Sequence, residues 1–316
     1  MTFEVVHTTE YDYSEPVLVS HHVARLSPRA LPRQDCMQHE LEIDPAPAVE
    51  ATHVDYFGNT VAFFAMQGAH SRLTVRARST VTVRAPTRPD PFDTPPWDAP
   101  LGQAAIPLDA IEYVFDSTLR RSSVAGAAGA DLAAYARVSF PPGRLLLEGV
   151  VELTRRIHED FTYDPRATTV GTPLADVFRS RRGVCQDFAH LEIACLRSLG
   201  LPARYISGYL ETAPRSGTPR LVGADASHAW LAVYCPGVGW IDVDPTNNVL
   251  PSDTHVTLAW GRDYGDVSPI RGVILGGGGH SLCQLSDGDR SGEAIDRRTW
   301  PRRTAKRRQG PSCPIL

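Results

Sequence analysis

The chain has 316 residues, of which 42% are hydrophobic and 22% charged; that is about two domains with enough apolar side chain to bury a core, and too much for a disordered chain. Its formal net charge of −4, from 32 basic and 36 acidic side chains, argues against a protein whose main partner is nucleic-acid phosphate. No window approaches the roughly 18 consecutive apolar residues of a membrane helix, and the first residues lack a basic stretch followed by an apolar one, so neither membrane nor secretion is expected and a cytoplasmic setting is.

Residues 1–85 read as β. Period-two alternation appears in Phe3-Glu4-Val5, in Leu41-Glu42-Ile43 and most clearly from Leu73 to Val83, where apolar residues alternate with Thr and Arg. Asp55-Tyr56-Phe57-Gly58-Asn59 is a turn signal before the apolar run 61–66. An antiparallel β-sandwich is expected there. Seven prolines fall between Pro86 and Pro107; such a run forms neither ladder nor helix and marks a linker or a wrapped extended segment. A helical stretch over 106–121 and an Ala/Gly-rich one over 124–136 complete a connecting region, 86–140. Pro141-Pro142 then opens an amphipathic helix over 143–160, with Leu145, Leu146, Val150, Leu153 and Ile157 on one face.

The core, 141–280, continues with a helix or turn from Asp176, the loop Arg181-Arg182-Gly183, and a strongly apolar helix from Cys185 to Leu199. Gly200 and Pro202 end that helix as C-cap and breaker. Strand-like segments follow over 203–212, 228–234 and 240–244, the second turned into the third by Pro236-Gly237-Val238-Gly239. Residues 281–316 carry +4 and the body −8; this polar, Arg-rich tail, which holds the lone lysine, Lys306, lacks periodicity and is expected to be disordered or a coding artefact. Six cysteines, at 36, 185, 195, 235, 283 and 313, show no CxxC pair, and a chain this long needs no disulfide staples.

One cysteine is placed for chemistry. Cys185 follows a loop and opens a helix, where unpaired N–H groups and the helix dipole favour an anion such as a thiolate. A thiol nucleophile needs a base, and the base an orienter. His228 begins one strand and Asp244 ends the next, so the two lie within reach on adjacent strands, although pairing 228 directly opposite 244 requires a hairpin centred on Pro236 and the register stays open. Cys185, Asp187 and His190 also read as a C-x-D-x-x-H ligand set, but the first two point to different sides of a helix start and no second cluster accompanies them, so no metal is expected. Gly276 to Gly279 lacks the strand and helix context of a phosphate loop, and no cofactor is called for. Asp225 sits at the site rim or is a solvated loop acid.

The string Arg182-Gly183-Val184-Cys185-Gln186-Asp187-Phe188-Ala189-His190 with Leu199-Gly200-Leu201-Pro202-Ala203-Arg204-Tyr205 resembles the nucleophile segment of the bacterial transglutaminase-like superfamily. Asp225-Ala226-Ser227-His228-Ala229-Trp230 resembles its histidine segment, and the stretch from Gly239-Trp240 to Asp244-Pro245-Thr246-Asn247 its aspartate segment, all in family order. Residues 1–85 are similar to the β-rich N-terminal region of one bacterial branch, and Gly261-Arg262-Asp263-Tyr264-Gly265-Asp266-Val267-Ser268-Pro269 to that branch's closing region. The resemblance implies an α+β protein, an N-terminal antiparallel β-sandwich followed by a papain-like transglutaminase core, with nucleophile Cys185, acid/base His228 and orienter Asp244. It implies attack on a protein or peptide carboxamide, a thioester, and resolution by water or by an amine, with hydrolysis slightly favoured because nothing marks a second channel that keeps water away. The oxyanion donors it implies are the Cys185 backbone N–H and a side chain from an upstream aromatic, for which Tyr163 is the candidate. Trp230 and Trp240 are site walls or core. The competing reading is a catalytically silent peptide-binding module with the same cleft. A protein or peptide is the expected partner, with no nucleic acid or membrane, and oligomeric state is left open.

Overall fold

A computed structural model describes residues 1–87, 89–99, 106–117, 126–211 and 227–290. Strand β1 (Thr2–Ala24) is 23 residues long and organises the N-terminal half. Pro16, which has no N–H to give a ladder, falls at a register shift between Asp12 and Val17 and divides β1 into two arms. The strands β2 (Gln34–Asp44), β3 (Val49–Val54), β4 (Thr60–Met66) and β5 (His70–Val83) join it in the order β2-β5-β1-β4-β3, within a seven-stranded sheet. The first arm of β1 pairs with β5, and the second with β4. Tyr11, Tyr13, Leu73 and Val75 from one half pack with Val17, Ala24, Phe64 and Met66 from the other in a single apolar cluster, so the sheet doubles over its own core.

The described part of the Pro-rich segment wraps rather than dangles: Leu146 donates its N–H to Pro95 O at 2.9 Å, and the Trp97 indole donates to Pro141 O at 2.9 Å. Helices α1 (Leu108–Ile111) and α2 (Gly126–Arg137) follow, then α3 (Leu146–Asp160), which starts three residues later than its apolar pattern suggested. Two-residue strands β6 (Thr162–Tyr163) and β7 (Arg182–Gly183) pair in parallel around α4 (Leu174–Ser180). Then come α5 (Cys185–Ser198), the strands β8 (Ala203–Leu210), β9 (His228–Cys235), β10 (Gly239–Val243) and β11 (His255–Gly261), and α6 (Tyr264–Val267).

The second sheet has the order β10-β9-β8-β11. Helix α5 is buried on every side from Asp187 to Arg197, the pattern of a central helix. It packs on Ala229, Leu231 and Val233, the alternate residues of β9, and joins α3 in the main core. Even Arg197 is buried there; its guanidinium donates to Tyr113 O at 2.8 Å, Ala203 O at 2.8 Å and Arg262 O at 2.9 Å, which satisfies a charge that burial penalises. Gly200, at φ +81, takes the left-handed C-cap conformation that the sequence indicated. Trp230, Ile206 and Ala232 face the other way, with Trp240 and Trp260 beside them.

That outer face meets the β-rich half. The free edge of β11 is closed by two side-chain amides acting as backbone. Gln34 accepts from Thr257 N at 2.8 Å and donates to Thr257 O at 2.7 Å; Asn59 accepts from Trp260 N at 3.0 Å and donates to Trp260 O at 2.9 Å. An uncovered edge invites pairing with another chain, and these amides occupy it.

Strands β12 (Ile270–Gly276) and β13 (His280–Arg290) return to flank both arms of β1. Residues 281–290 are therefore strand, against the expectation of a disordered tail from 281 onward: β1 offers an open edge along its whole length, and backbone pairing imposes extension on a segment with little pattern of its own. Residues 291–316, with Cys313 and Lys306, lie outside the described residues, as do Asp225 and residues 118–121 of the expected helix over 106–121; of the rest of that stretch only 108–111 are α-helical and 112–114 form a 3-10 turn, so the helix is shorter than expected. No helix among the described residues is long and apolar enough to cross a membrane.

Candidate active site

Cys185 is the first residue of α5, half-buried and free. The helix start is built by Asp187, whose carboxylate accepts the Val184 N–H at 3.0 Å and the Thr168 hydroxyl at 2.5 Å. This is the reach-back of an N3 acid to the N-cap backbone. Gly183 is required alongside, since a Cβ there would stand 2.8 Å from Asp187 Oδ2. His190 belongs to the helix rather than to a ligand set: its Nδ1 pairs with Gln186 O at 2.7 Å and its Nε2 accepts from Tyr264 N at 3.3 Å.

Asp244 follows β10 and is fully buried. Its Oδ1 accepts from the backbone of Thr246 at 2.9 Å and of Asn247 at 3.3 Å, an Asx-type turn that fixes the carboxylate. Its Oδ2 collects three more donors: His228 Nε2 at 2.9 Å, the Asn247 amide at 2.7 Å and His255 Nε2 at 3.3 Å. Burial alone would raise this carboxyl, but His228 and these hydrogen bonds reverse the effect and hold it far below the usual carboxylate range. An ionised carboxylate only accepts, so both histidines carry hydrogen on Nε2.

His228 is buried, and its proton affinity is set by opposing effects. Desolvation lowers it; Asp244, and then Cys185, more than compensate and push it up to about 10. With Nε2 committed to Asp244, Nδ1 has no full hydrogen bond among the described residues, and the Cys185 thiol lies close enough to raise the affinity of the ring for its proton. Such contacts are commonly loose before substrate binds. His255 is the opposite case. Burial lowers it, and with Nδ1 against Thr254 Oγ1 at 3.0 Å it serves as a neutral donor to Asp244. The ligand-type atoms of His228, Asp244 and His255 lie within 4.8 Å of one another, and this hydrogen-bond network engages all of them.

Trp230 forms the floor. Completely buried, it stacks beneath His228 (ring centroids 6.1 Å apart, 23° between planes) and meets His255 edge-on at 5.2 Å. Gly208 makes room for it: a Cβ there would stand 2.5 Å from the indole and 2.0 Å from Val256 O. Tyr163, on β6 beside Gly183, is half-buried; burial and the nearby Cys185 push its hydroxyl up to about 12, so it stays protonated. Trp240 does not join this group. It pairs with Tyr234, six residues along β9 from His228 and hence about 20 Å away, and packs with Tyr113 and Arg204 at the contact with the β-rich half.

Below the site, Glu192 on α5 is buried against Thr154 of α3, whose hydroxyl lies 2.7 Å from Glu192 Oε1 and 2.9 Å from Val150 O. One hydroxyl hydrogen cannot serve two acceptors. A protonated Glu192 resolves the count by donating to Thr154, and burial raises its carboxyl to about 8, with Asp244 adding to the effect.

Sequence reasoning missed His255, Gly208 and the donor role of Asn247. Only Asn247 had a local signal, an amide three residues after a turn-forming aspartate.

A buried imidazole between a carboxylate and a thiol at a helix start, on a four-stranded antiparallel sheet, defines the chain as papain-like in its core. Residues 3–82 match the bacterial transglutaminase-like N-terminal region, and residues 138–245 match the transglutaminase-like superfamily. An uncharacterized protein of Mycobacterium tuberculosis is 40% identical over 293 residues, 90% of this chain and 91% of that one. A protein-glutamine gamma-glutamyltransferase of Pseudomonas aeruginosa is 37% identical over 130 residues, 38% of this chain and 19% of its own length. In fold, a proposed cysteine protease from Cytophaga hutchinsonii superposes with a TM-score of 0.74 at 22% identity, over 93% of this chain and 92% of that one. The chain belongs to the transglutaminase-like superfamily.

Proposed function

We propose that the protein is a thiol enzyme that hydrolyses amide bonds of proteins or peptides through a thioester, with Cys185 as nucleophile, His228 as acid and base, and Asp244 as the orienter of His228. The observation that carries this reading is the division of the imidazole: Nε2 is bonded to a buried, ionised Asp244, which leaves Nδ1 for the thiol. In the first half, the Cys185 thiol gives its proton to His228 Nδ1 and its sulfur attacks the carbonyl carbon, and the tetrahedral oxyanion is met by the Cys185 backbone N–H and the Tyr163 hydroxyl. Collapse breaks the C–N bond, and His228 protonates the departing amine or ammonia. In the second half, His228 takes a proton from water, which attacks the thioester and releases the acid and the thiol. An amine in place of water gives transamidation through the same residues. The named relatives are divided in the same way, one a proposed cysteine protease and one a glutamyltransferase. Hydrolysis is preferred on the sequence, in which nothing marks a second channel that would keep water from the thioester.

The test incubates the full chain with a glutamine-containing protein mixture and an amine donor, with Cys185→Ala as control. Mass spectrometry is expected to show cut or deamidated chains in excess of amine incorporation. Identical products from wild type and Cys185→Ala would refute the enzyme reading, and predominant amine incorporation would reverse the preference for hydrolysis.

A further inference from the structure

We propose that Arg33, in the β-rich N-terminal half, is a positioning residue for the thiol–imidazole pair, acting through Asp242 and the indole of Trp230. The inference rests on the functional reading above and extends its machinery to a residue about 150 positions upstream of the nucleophile.

The chain of contacts begins at Trp230. Its indole N–H is a buried donor, and such a donor needs an acceptor; it finds Asp242 Oδ2 at 3.4 Å. Asp242 lies on β10 two residues before Asp244, and the same Oδ2 receives the guanidinium of Arg33. Arg33 is fixed in turn: its Nη1 donates to Ser252 O at 3.3 Å, its carbonyl accepts from Arg84 N at 2.7 Å, and its neighbour Gln34 is tied to Thr257. The Arg33 side chain is 18% exposed and that of Asp242 14%, so water supplies little of what Asp242 would lose without its partner.

The indole has no slack at its other side, because it lies on the bare backbone of Gly208. Its plane therefore follows from two constraints, the packing at Gly208 and the hydrogen bond to Asp242. That plane sets the seat of both imidazoles that share Asp244 Oδ2. Removing Arg33 leaves Asp242 with Arg204 as its remaining nearby cation; Arg204 is buried, its guanidinium lying 3.7 Å from the Trp260 ring centroid and 4.3 Å from that of Trp240. A carboxylate that turns toward Arg204 releases the indole N–H, and His228 loses the alignment of Nδ1 on the thiol. The charged or titratable groups around this path are Asp244, His255, Asp242, Arg204 with Arg29 and Tyr113 near it and, from α5, Glu192.

The experiment follows alkylation of Cys185 by iodoacetamide, read on its peptide by mass spectrometry from about pH 5 to about pH 10, in the full chain. Arg33→Ala is expected to slow alkylation at neutral pH about tenfold and to displace its pH midpoint, which a merely structural contact would not do. Arg33→Lys, which keeps a cation at Asp242, should recover most of the loss. Trp230→Phe should show the same displacement, and adding Arg33→Ala to it should change nothing more. A folded Arg33→Ala protein with the wild-type profile overturns the proposal, and so does a loss that simply adds to that of Trp230→Phe. Should Arg33→Ala fail to fold, Asp242→Asn decides by the same criteria. His228→Ala separates the two levels. If it leaves the profile unchanged, the thiol–imidazole reading itself fails; if it alters the profile while Arg33→Ala does not, only the role of Arg33 is lost.

Discussion

Replacing Asp244 by asparagine keeps the shape of the side chain and removes its charge, and the structure says what that costs. Five donors converge on the carboxylate, two on Oδ1 and three on Oδ2. An amide has one acceptor atom. With nitrogen at the Oδ2 position it faces three donors; flipped, it faces two backbone N–H groups. At least two buried donors lose their acceptor in either arrangement, at about 1–3 kcal/mol each, so Asp244→Asn should destabilise the fold by roughly 2–6 kcal/mol. The loss should also depend on pH. In the wild type, His228 binds its proton more tightly folded, at about 10, than unfolded, at about 6.5. Its contribution is therefore fully present below about pH 6.5 and is lost as the pH rises through about 10. Without the carboxylate, burial dominates and His228 is neutral, so the gap in stability between wild type and variant should narrow across that window. Urea unfolding at about pH 6, 8 and 10, with NMR titration of the His228 ring, measures both. A gap that stays constant with pH, or a ring that keeps its proton above neutral pH in the variant, refutes the reasoning. Turnover should fall by on the order of 10³-fold or more, by analogy with the orienting aspartate of other triads.

Three further outcomes are expected. Gly208→Ala should cost roughly 2–4 kcal/mol, since both groups it would strike are fixed; an unchanged melting temperature would show that Trp230 has room to move. Tyr163→Phe should lower turnover on the order of 10²-fold with no loss of stability, and an effect confined to KM would remove Tyr163 from the oxyanion site. Glu192→Gln replaces a neutral acid by a neutral amide that can still donate to Thr154. Wild type should lose stability as the pH rises from about 4.5, where the unfolded carboxyl ionises, to about 8, where the folded one does; the variant should gain on it across that window, and parallel urea midpoints would show Glu192 to be ionised at neutral pH.

The elements that position Cys185 were legible because each carries a local signal. The loop ending in Gly183, the apolar run after Cys185 and the pair Gly200 and Pro202 bound α5 without reference to the rest of the chain, and Pro236-Gly237-Val238-Gly239 announces the hairpin of β9 and β10. The register of that hairpin was not legible. Val243 pairs with Leu231, which sets Asp244 beside Trp230 and diagonal to His228, a choice made by the turn and by packing on α5. Strand β13 was misread for a similar reason, since its conformation comes from the open edge of β1 some 270 residues away in sequence.

What supports the site was less legible than the site itself, and the difference is physical. Cys185, His228 and Asp244 stand at the ends of elements, where helix caps, turns and strand starts leave marks in adjacent residues. Gly208, His255 and Arg33 act across elements. A glycine inside a strand reads as a weak point or a bulge, and only the neighbouring strand, with Ile206 opposite Trp230 and Gly208 opposite His228, shows that the missing Cβ is the space an indole occupies. Strand β11 brings His255 to Asp244 from beyond a loop. Arg33 reaches Asp242 from the other half of the protein. The β-rich half therefore does more than precede the core, because the face of the sheet that it covers is the face on which the floor of the site rests.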